Sequence, residues 1–528
     1  MLGSSLKLAT QTSVLEMKQV LAIAILVAST LWAVAPACAQ HDHPAPEKLG
    51  KVSFLVSCAR AAQPAFNHAV ALLHSFAYSS ARLEFAAIAQ RDPQCAMAHW
   101  GVAISYYHQL WDPPITSADL QAGAPEIQKA EELSTHSSER EQAFIQALSV
   151  FYQTAASSSV RGAALAYTNA MRDAAAQNND DTESQIFYAL AFLAIASPTD
   201  PAHTNQKWAA QMLEPLFQRY PSHPGLAHYL IHAYDNPEMA SQGLPAARAY
   251  SKIAPSAPHA LHMPSHIFTL LGLWQDSIRS NLAARAAAHQ QGDIGEELHS
   301  MDYLIYAYLQ AGRFDDAANL LADLRAIPDL PIAEYKTAYA AAIMPVRVAI
   351  ERRQWDDALK NSVDPRAAPQ FRSISEWANS VAASHLGKIP EGELHLRNLQ
   401  ELLDEVRKGG DDYWTSQLEI QALEGEGWLA HVRGDNRQAI SSLGTAALQE
   451  DALAKRPITP GPVIPAREQL AELLLEIDQP ADALREYEHV LKNSPRRRNA
   501  LSGAARAAAL SGDTNKARQL DQQFKALY

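Results

Sequence analysis

The amino-acid sequence predicts an all-α protein, a solenoid of stacked antiparallel helix hairpins. The first observation is a ladder in which a small residue, two apolar residues and a proline follow one another at intervals of four residues. An apolar residue at every fourth position forms one stripe along a helix, and a proline ends that helix because it cannot continue the backbone hydrogen bonds. The ladder occurs at Ala81-Phe85-Ala89-Pro93, Ala209-Leu213-Phe217-Pro221, Ala246-Tyr250-Ala254-Pro258 and Ala483-Tyr487-Leu491-Pro495.

The second observation is a turn signature in the middle of the hairpins. A glycine stands five residues before a small packing residue, and a polar residue between the two can cap the second helix. With 48 % hydrophobic and 19 % charged residues, the chain also has enough apolar material to bury a core. The signature occurs at Gly312–Ala317, Gly434–Ala439 and Gly512–Ala517, and Gly272 before Ser277 is similar.

These patterns resemble those of tetratricopeptide-repeat (TPR) proteins, and the resemblance covers most of residues 61–528. Ala483 and Ala517 lie 34 positions apart, which is the TPR period. The resemblance implies a curved stack of helix pairs whose concave face, lined by the first helix of each pair, binds a peptide or another protein. We therefore predict TPR-like arrays at residues 61–345 and 346–528.

A signal peptide is predicted at residues 1–39. Lys18 precedes an apolar run at residues 20–28, and the small-residue stretch Ala37-Cys38-Ala39 has the pattern of a cleavage site. On this interpretation the mature chain is exported to the periplasm or secreted, with residues 40–60 as a linker and no membrane-spanning segment. Attachment to a lipid through Cys38 is the alternative.

The mature chain keeps two cysteines, Cys58 and Cys95, at the same end of the first predicted hairpin. Cys58 precedes the first helix, and Cys95 follows Pro93, which ends the second. Since export leads to an oxidising compartment, we expect a disulfide between them. The alternative is two unrelated core residues.

Charge and motifs argue against nucleic-acid binding and against the familiar catalytic centres. A net charge of −13 disfavours a protein that binds phosphate backbones in general, and the one tight basic run, Arg496-Arg497-Arg498, fits a solvated corner. The sequence lacks H-E-x-x-H, G-x-S-x-G, a glycine-rich phosphate loop and a dinucleotide fingerprint. No catalytic residue is assigned, and the sequence indicates a binding protein rather than an enzyme.

Histidines are concentrated between residues 223 and 299, which hold eight of the 20 in the chain. His228 and His232 are four positions apart on one predicted helix, so both imidazoles lie on one face and can share a metal ion. His262 and His266 have the same spacing one repeat later, and these four histidines are the predicted ligands. Further candidate ligands are His259, His299 and Asp302.

Three interpretations of this cluster stay open. Imidazoles from neighbouring first helices can form a site for zinc or copper. Alternatively, the histidines are buried residues that backbone groups and tyrosines satisfy, or they form a pocket for an anionic or peptide ligand. The stretches 225–235 and 262–266 resemble those of uncharacterised exported bacterial TPR proteins, which implies no activity.

The function predicted from the sequence is therefore that of an exported TPR scaffold whose concave face binds a protein or peptide. The alternative is a zinc- or copper-binding module, or a metal-dependent enzyme, that uses the histidines at 228–266.

Overall fold

The computed structural model describes residues 47–110 and 115–527, and in these ranges the chain forms helices, turns and loops without a strand. The predicted signal peptide at residues 1–39, with Cys38, lies outside the described residues. No helix in the described ranges combines the length and the apolar character that crossing a membrane requires.

The helices up to the histidine-rich region are α1 (Gln63–His74), α2 (Tyr78–Arg91), α3 (Ala96–Ile104), α4 (Ser117–Leu133), α5 (Glu139–Ala155), α6 (Val160–Gln177), α7 (Thr182–Ala194) and α8 (Thr204–Arg219). The histidine-rich region contains α9 (Pro224–Tyr234), α10 (Leu244–Ile253), α11 (Pro258–His262), α12 (Pro264–Leu270), α13 (Trp274–Gln291) and α14 (Ile294–Gln310). The remaining helices are α15 (Phe314–Ala326), α16 (Tyr335–Glu351), α17 (Trp355–Ala358), α18 (Pro369–His385), α19 (Ile389–Gly409), α20 (Asp412–Val432), α21 (Asn436–Asp451), α22 (Ala466–Glu476), α23 (Pro480–Asn493), α24 (Arg498–Leu510) and α25 (Thr514–Lys525).

The turns between paired helices use the residues that the sequence signature indicated. Gly292, between α13 and α14, and Gly312, between α14 and α15, have φ angles of 71° and 72°. Glycine adopts this left-handed conformation without a clash of a Cβ atom. The next helix begins at once, because the carboxylate of Asp293 accepts a hydrogen bond from the backbone N–H of Glu296.

The helices stack as antiparallel hairpins. Consecutive helices such as α13 and α14, or α18 and α19, pack against each other, while the alternate helices α14, α16, α18 and α20 contact one another in succession. These alternate helices form an inner layer, and α14 is buried along its whole length from residue 296 to residue 310. The predicted all-α solenoid of helix hairpins is therefore confirmed.

The buried apolar side chains form two main clusters that meet near Gly272. One cluster is drawn from residues 49–268 and the other from residues 274–527. The boundary that the sequence suggested between residues 345 and 346 falls inside α16, and the contacts of the chain from Lys48 onward make one compact unit. The histidine-rich helices α11, α12 and α14 thus lie at the junction of the two clusters.

Residues 48–60, which the sequence suggested as part of a linker, are packed against the helices. Phe54 is fully buried and its ring contacts those of Phe66, Trp100 and Phe144. An apolar ring of this size buries enough surface to hold the extended segment in place.

The loop between α21 and α22, residues 452–465, lies across the inner helices α14 and α16. The hydroxyl of Tyr303 donates to the carbonyl oxygen of Pro457 at 3.0 Å. Arg347 donates through Nη1 to the carbonyl oxygen of Gly461 at 3.3 Å. The chain's own loop therefore occupies this part of the inner surface.

Arg497 corrects the prediction of a solvated basic corner. Its guanidinium is 0 % exposed, donates through Nε to Glu468 at 2.6 Å and pairs with Glu351. Glu351 ends α16 and Glu468 begins α22, so the cation joins two inner helices to the start of α24. A charge buried this deeply is stable only when it is paired and hydrogen-bonded.

Candidate metal centre

Six histidines from four helices converge at the junction of the two apolar clusters. Five of them are buried and His232 is partly buried. By helix, they are His228 and His232 on α9, His259 and His262 on α11, His266 on α12, and His299 on α14.

The first triad consists of His228, His232 and His259. The Nε2 atom of His228 lies 3.1 Å from Nε2 of His232 and 3.2 Å from Nε2 of His259. The four-residue spacing on α9 aligns the first two imidazoles, and α11 brings the third from the next repeat. One nitrogen of each of the three residues lies within 4.8 Å of those of the other two.

The second triad consists of His262, His266 and His299. The Nε2 atoms of His262 and His266 are 3.1 Å apart, and the ring of His299 stands 4.3 Å from that of His262. These ligand atoms also lie within 4.8 Å of one another. The triads are adjacent, because His259 and His262 lie three positions apart on α11 with ring centroids 6.2 Å apart.

Acceptors on the far side of the rings fix which nitrogen carries the proton. Nδ1 of His228 donates to the carbonyl oxygen of His74 at 2.6 Å, and Nδ1 of His262 donates to Oδ1 of Asn281 at 2.7 Å. Nδ1 of His266 donates to Asp235 at 2.9 Å. Since the proton is on Nδ1, Nε2 presents a lone pair to the centre of the triad. Ligating histidines in metalloproteins are oriented in this way by partners of the second ring nitrogen.

The separations between the Nε2 atoms match those of ligands around one ion. For metal–nitrogen bonds of about 2.0–2.1 Å, tetrahedral geometry places two ligand nitrogens about 3.3–3.4 Å apart. The 3.1 Å between the Nε2 atoms of His262 and His266 is close to that value. Because both of these rings donate through Nδ1, two lone pairs face each other across this distance, and they repel each other unless a cation lies between them.

Burial lowers the pKa of all six imidazoles, because the charged ring loses its hydration. In His228 and His262, the neighbouring imidazoles lower the pKa further. Neutral imidazole is the form that binds a metal ion.

Two carboxylates behind the triads are each paired with a lysine. Asp235 accepts from His266 and lies 2.8 Å from Nζ of Lys455, which comes from the loop at residues 452–465. Glu296 lies 3.4 Å from Nδ1 of His259 and pairs with Lys336. Each triad thus has one carboxylate that orients a histidine, and each carboxylate is already neutralised.

The structure does not bring Asp302 to the triads. Its two oxygens lie 2.9 Å from Nε and 3.2 Å from Nη2 of Arg347, and both residues are fully buried. Its place 40 residues after His262, at the equivalent position of the next repeat, suggested a ligand, but the guanidinium of Arg347 on α16 takes both oxygens. Asp302 therefore anchors Arg347 under the loop at residues 452–465.

A further cluster that the sequence did not indicate lies behind the first triad. The carboxylate of Glu183 bonds Nε2 of His74 and Nε2 of His223, each at 3.0 Å. The pKa of Glu183 is strongly lowered, since the two imidazoles outweigh the effect of burial. This cluster holds His74, whose carbonyl oxygen orients His228. Its members come from α1, from α7 and from the residue before α9, so their spacing gives no signal in the sequence.

Cys58 and Cys95 are joined in the structure, with Cα atoms 4.8 Å apart. Asp92 accepts a hydrogen bond from the backbone N–H of Ala59 at 2.7 Å, which adds a second link between the segment before α1 and the end of α2.

No family model matches the chain, and the search of curated proteins finds no match to it. The chain is similar to a solved structure of the human IFIT1 dimer with PPP-AAAA, at 12 % identity and a TM-score of 0.39, covering 82 % of this chain and 90 % of that one. It is also similar to the TPR domain of P58(IPK), at 11 % identity and a TM-score of 0.21, covering 86 % and 99 %. A third similar structure is Naa15/Naa10 bound to HypK-THB, at 12 % identity and a TM-score of 0.24, covering 87 % and 62 %. These similarities concern the helical-repeat fold alone.

Proposed function

We propose that this helical-repeat protein is a metalloprotein in which each triad binds one ion of copper or zinc. The observation that carries the proposal is the convergence of imidazole nitrogens within each triad, with Nε2 atoms 3.1 to 3.2 Å apart. Nδ1 protons are directed outward to the carbonyl oxygen of His74, to Asn281 and to Asp235. A metal ion bound among the three nitrogens of one triad would be coordinated by their lone pairs, and the lone pairs would then no longer repel each other.

The choice of metal follows from the ligands. Neutral imidazoles suit zinc and copper better than calcium or magnesium, which prefer oxygen ligands. The thioether side chain of Met263 also lines the space between the triads. Because sulfur is a soft ligand that favours copper, we place copper before zinc.

The interpretation as purely structural histidines fits the contacts less well. A buried imidazole that only stabilises a core uses both nitrogens in hydrogen bonds to complementary groups. Here the Nε2 atoms of His262 and His266 lie 3.1 Å apart while the Nδ1 atoms of both rings donate to other residues, so neither Nε2 atom offers a proton to the other. By contrast, His74 has complementary partners on both nitrogens, Tyr229 and Glu183.

Binding of a peptide on the inner surface is disfavoured over α14 and α16. Tyr303 and Arg347, which an incoming peptide would meet there, donate to backbone carbonyls of the loop at residues 452–465. We therefore locate the function at the triads rather than in an open groove. Export to the periplasm or secretion remains part of the proposal, supported by the signal-peptide pattern and the bonded cysteines.

X-ray absorption spectroscopy of the metal-loaded protein tests the proposed coordination. We expect a first shell of nitrogen at about 2.0–2.1 Å with the multiple-scattering pattern of imidazole. The variant His228→Ala/His262→Ala should lose most of that pattern, whereas His68→Ala/His395→Ala, which changes two histidines outside the triads, should keep it. A first shell of oxygen without imidazole scattering would contradict the assignment.

A further inference from the structure

A small chamber of about 20 Å³ lies between the two triads. Its walls include His232 and His259 from the first triad and His266 and His299 from the second. A cavity of this volume has room for about one water molecule. Both triads therefore face the same small space.

The chamber is the place from which a fourth ligand can reach either ion. Three imidazoles leave a four-coordinate ion with one open position. The remaining walls are mostly apolar side chains without a metal-binding oxygen or nitrogen. Among the residues that the structure describes, these walls are formed by Leu110, Met263, Pro457 and Ile458, and the one further charged residue is Lys336.

The charges of the site call for an anion. Two divalent ions held by neutral imidazoles add four positive charges to a buried volume. The negative charges of Asp235 and Glu296 are already neutralised by Lys455 and Lys336. An excess of positive charge away from water is costly, and a small anion between the ions reduces it most.

We infer that the chamber holds one small anion, hydroxide in the resting protein, that bridges the two metal ions. This inference rests on the proposed function. A water molecule that enters the chamber loses one proton to the solvent and keeps its electron pairs on oxygen, which then binds both ions. A single bound ion already lowers the pKa of water to about 7, and a second ion adds to that effect. Other anions of one to three atoms, such as azide, compete for the same position.

Reconstitution with copper provides the test, because imidazole sites bind Cu(II) more tightly than the other divalent first-row metals. Two Cu(II) ions that share one oxygen atom couple their unpaired spins antiferromagnetically through it. We expect two bound copper ions per chain with most of the electron paramagnetic resonance (EPR) intensity lost. Titration with sodium azide should produce a near-ultraviolet charge-transfer band that saturates at one azide per two copper ions.

Variants at Ile458 test the role of the chamber without changing the histidine ligands. Ile458→Phe fills the chamber without removing a histidine, so it should keep both copper ions, regain EPR intensity and lose the azide band. Ile458→Val keeps the chamber open and should behave like the wild type. If Ile458→Phe fails to fold, the number of azide ions that the wild type binds per copper ion tests the bridging anion on its own.

Two outcomes overturn the inference: EPR intensity equal to the bound copper, or saturation at one azide per copper ion. Either leaves the proposed function intact, since copper is still bound. Failure of the proposed function is distinct, because the chain would then bind no copper before azide is added.

Discussion

The Nε2 atoms of His228 and His259 lie 3.2 Å apart, although the residues are 31 positions apart and on different helices. The hydrogen bond from His228 to the carbonyl oxygen of His74 sets the orientation of its ring. The helical stack therefore positions the ligands before a metal ion arrives. A site arranged in advance needs little reorganisation on binding, which favours tight binding.

Removing the charge of Asp235 should weaken the second triad selectively. Asp235→Asn keeps the shape of the side chain but loses the carboxylate that holds Nδ1 of His266 at 2.9 Å. Loss of such a partner lowers metal affinity about 10- to 100-fold. Competition with a chelator should show this loss for one of the two ions.

Glu296→Gln is the matched variant for the first triad, because Glu296 lies behind His259. It should weaken the other ion, and Asp276→Asn on the surface of α13 should weaken neither. Equal weakening of both ions by either variant would contradict the assignment of carboxylates to triads.

The link between Cys58 and Cys95 should stabilise the first hairpin. The cysteines are 37 positions apart, and closing a loop of that length removes unfolded-state entropy worth about 4 kcal/mol. The variant Cys58→Ala/Cys95→Ala should therefore unfold at a lower denaturant concentration than the wild type. Wild-type protein whose disulfide has been chemically reduced should unfold at about the same concentration as the variant. Unchanged stability in both would show that the link contributes nothing.

Arg497→Leu should destabilise the C-terminal half of the chain by about 3–5 kcal/mol, because it leaves the buried carboxylates of Glu351 and Glu468 without their cation. Thermal unfolding measures the loss. Arg485→Leu is the control, since Arg485 forms an exposed pair with Asp482 that is worth about 0–1 kcal/mol. Similar effects of the two variants would argue against the buried cluster.

His385 should make the protein less stable in acid. Its ring is stacked on Trp355 at 4.0 Å and contacts Trp428 at 4.1 Å. Burial, together with the charges of Arg353 and His431, lowers the pKa of His385 from 6.5 to about 3. Between these values the unfolded chain binds a proton that the folded chain does not. The contribution of the neutral ring is therefore complete above pH 6.5 and declines as the pH falls toward 3.

The variant His385→Phe keeps an aromatic ring between the two tryptophans but cannot bind a proton. As the pH falls, its free energy of unfolding should decrease less steeply than that of the wild type. The two slopes should differ by up to about 1.4 kcal/mol per pH unit. Denaturant titrations at pH values between 4 and 7 measure the two slopes. Parallel slopes would mean that His385 does not titrate as stated.

The helical fold was readable from the sequence because its signals are local. The ladder Ala483-Tyr487-Leu491-Pro495 lies within one hairpin, and the glycine at 312 ends one helix directly before the next. The burial of Arg497 was not readable, since its partners Glu351 and Glu468 come from helices far away in the sequence.

The candidate site was readable in part for the same reason. The spacing of His228 and His232 is local and marks one face of a helix. The division into two triads depends on α11, where His259 and His262 are three positions apart. At 100° per residue their side chains point about 60° apart, so each enters a different triad. The lysines behind the carboxylates come from α16 and from a loop near the C-terminus, and no local pattern connects them.

The metal content of the protein, purified without a histidine tag and measured by inductively coupled plasma mass spectrometry, tests the central claim most directly. We predict two ions of copper or zinc per chain. His228→Ala/His232→Ala and His262→Ala/His266→Ala should each retain one, and His68→Ala/His395→Ala should retain both. A folded wild-type chain that stays metal-free after exposure to both metals would contradict the account.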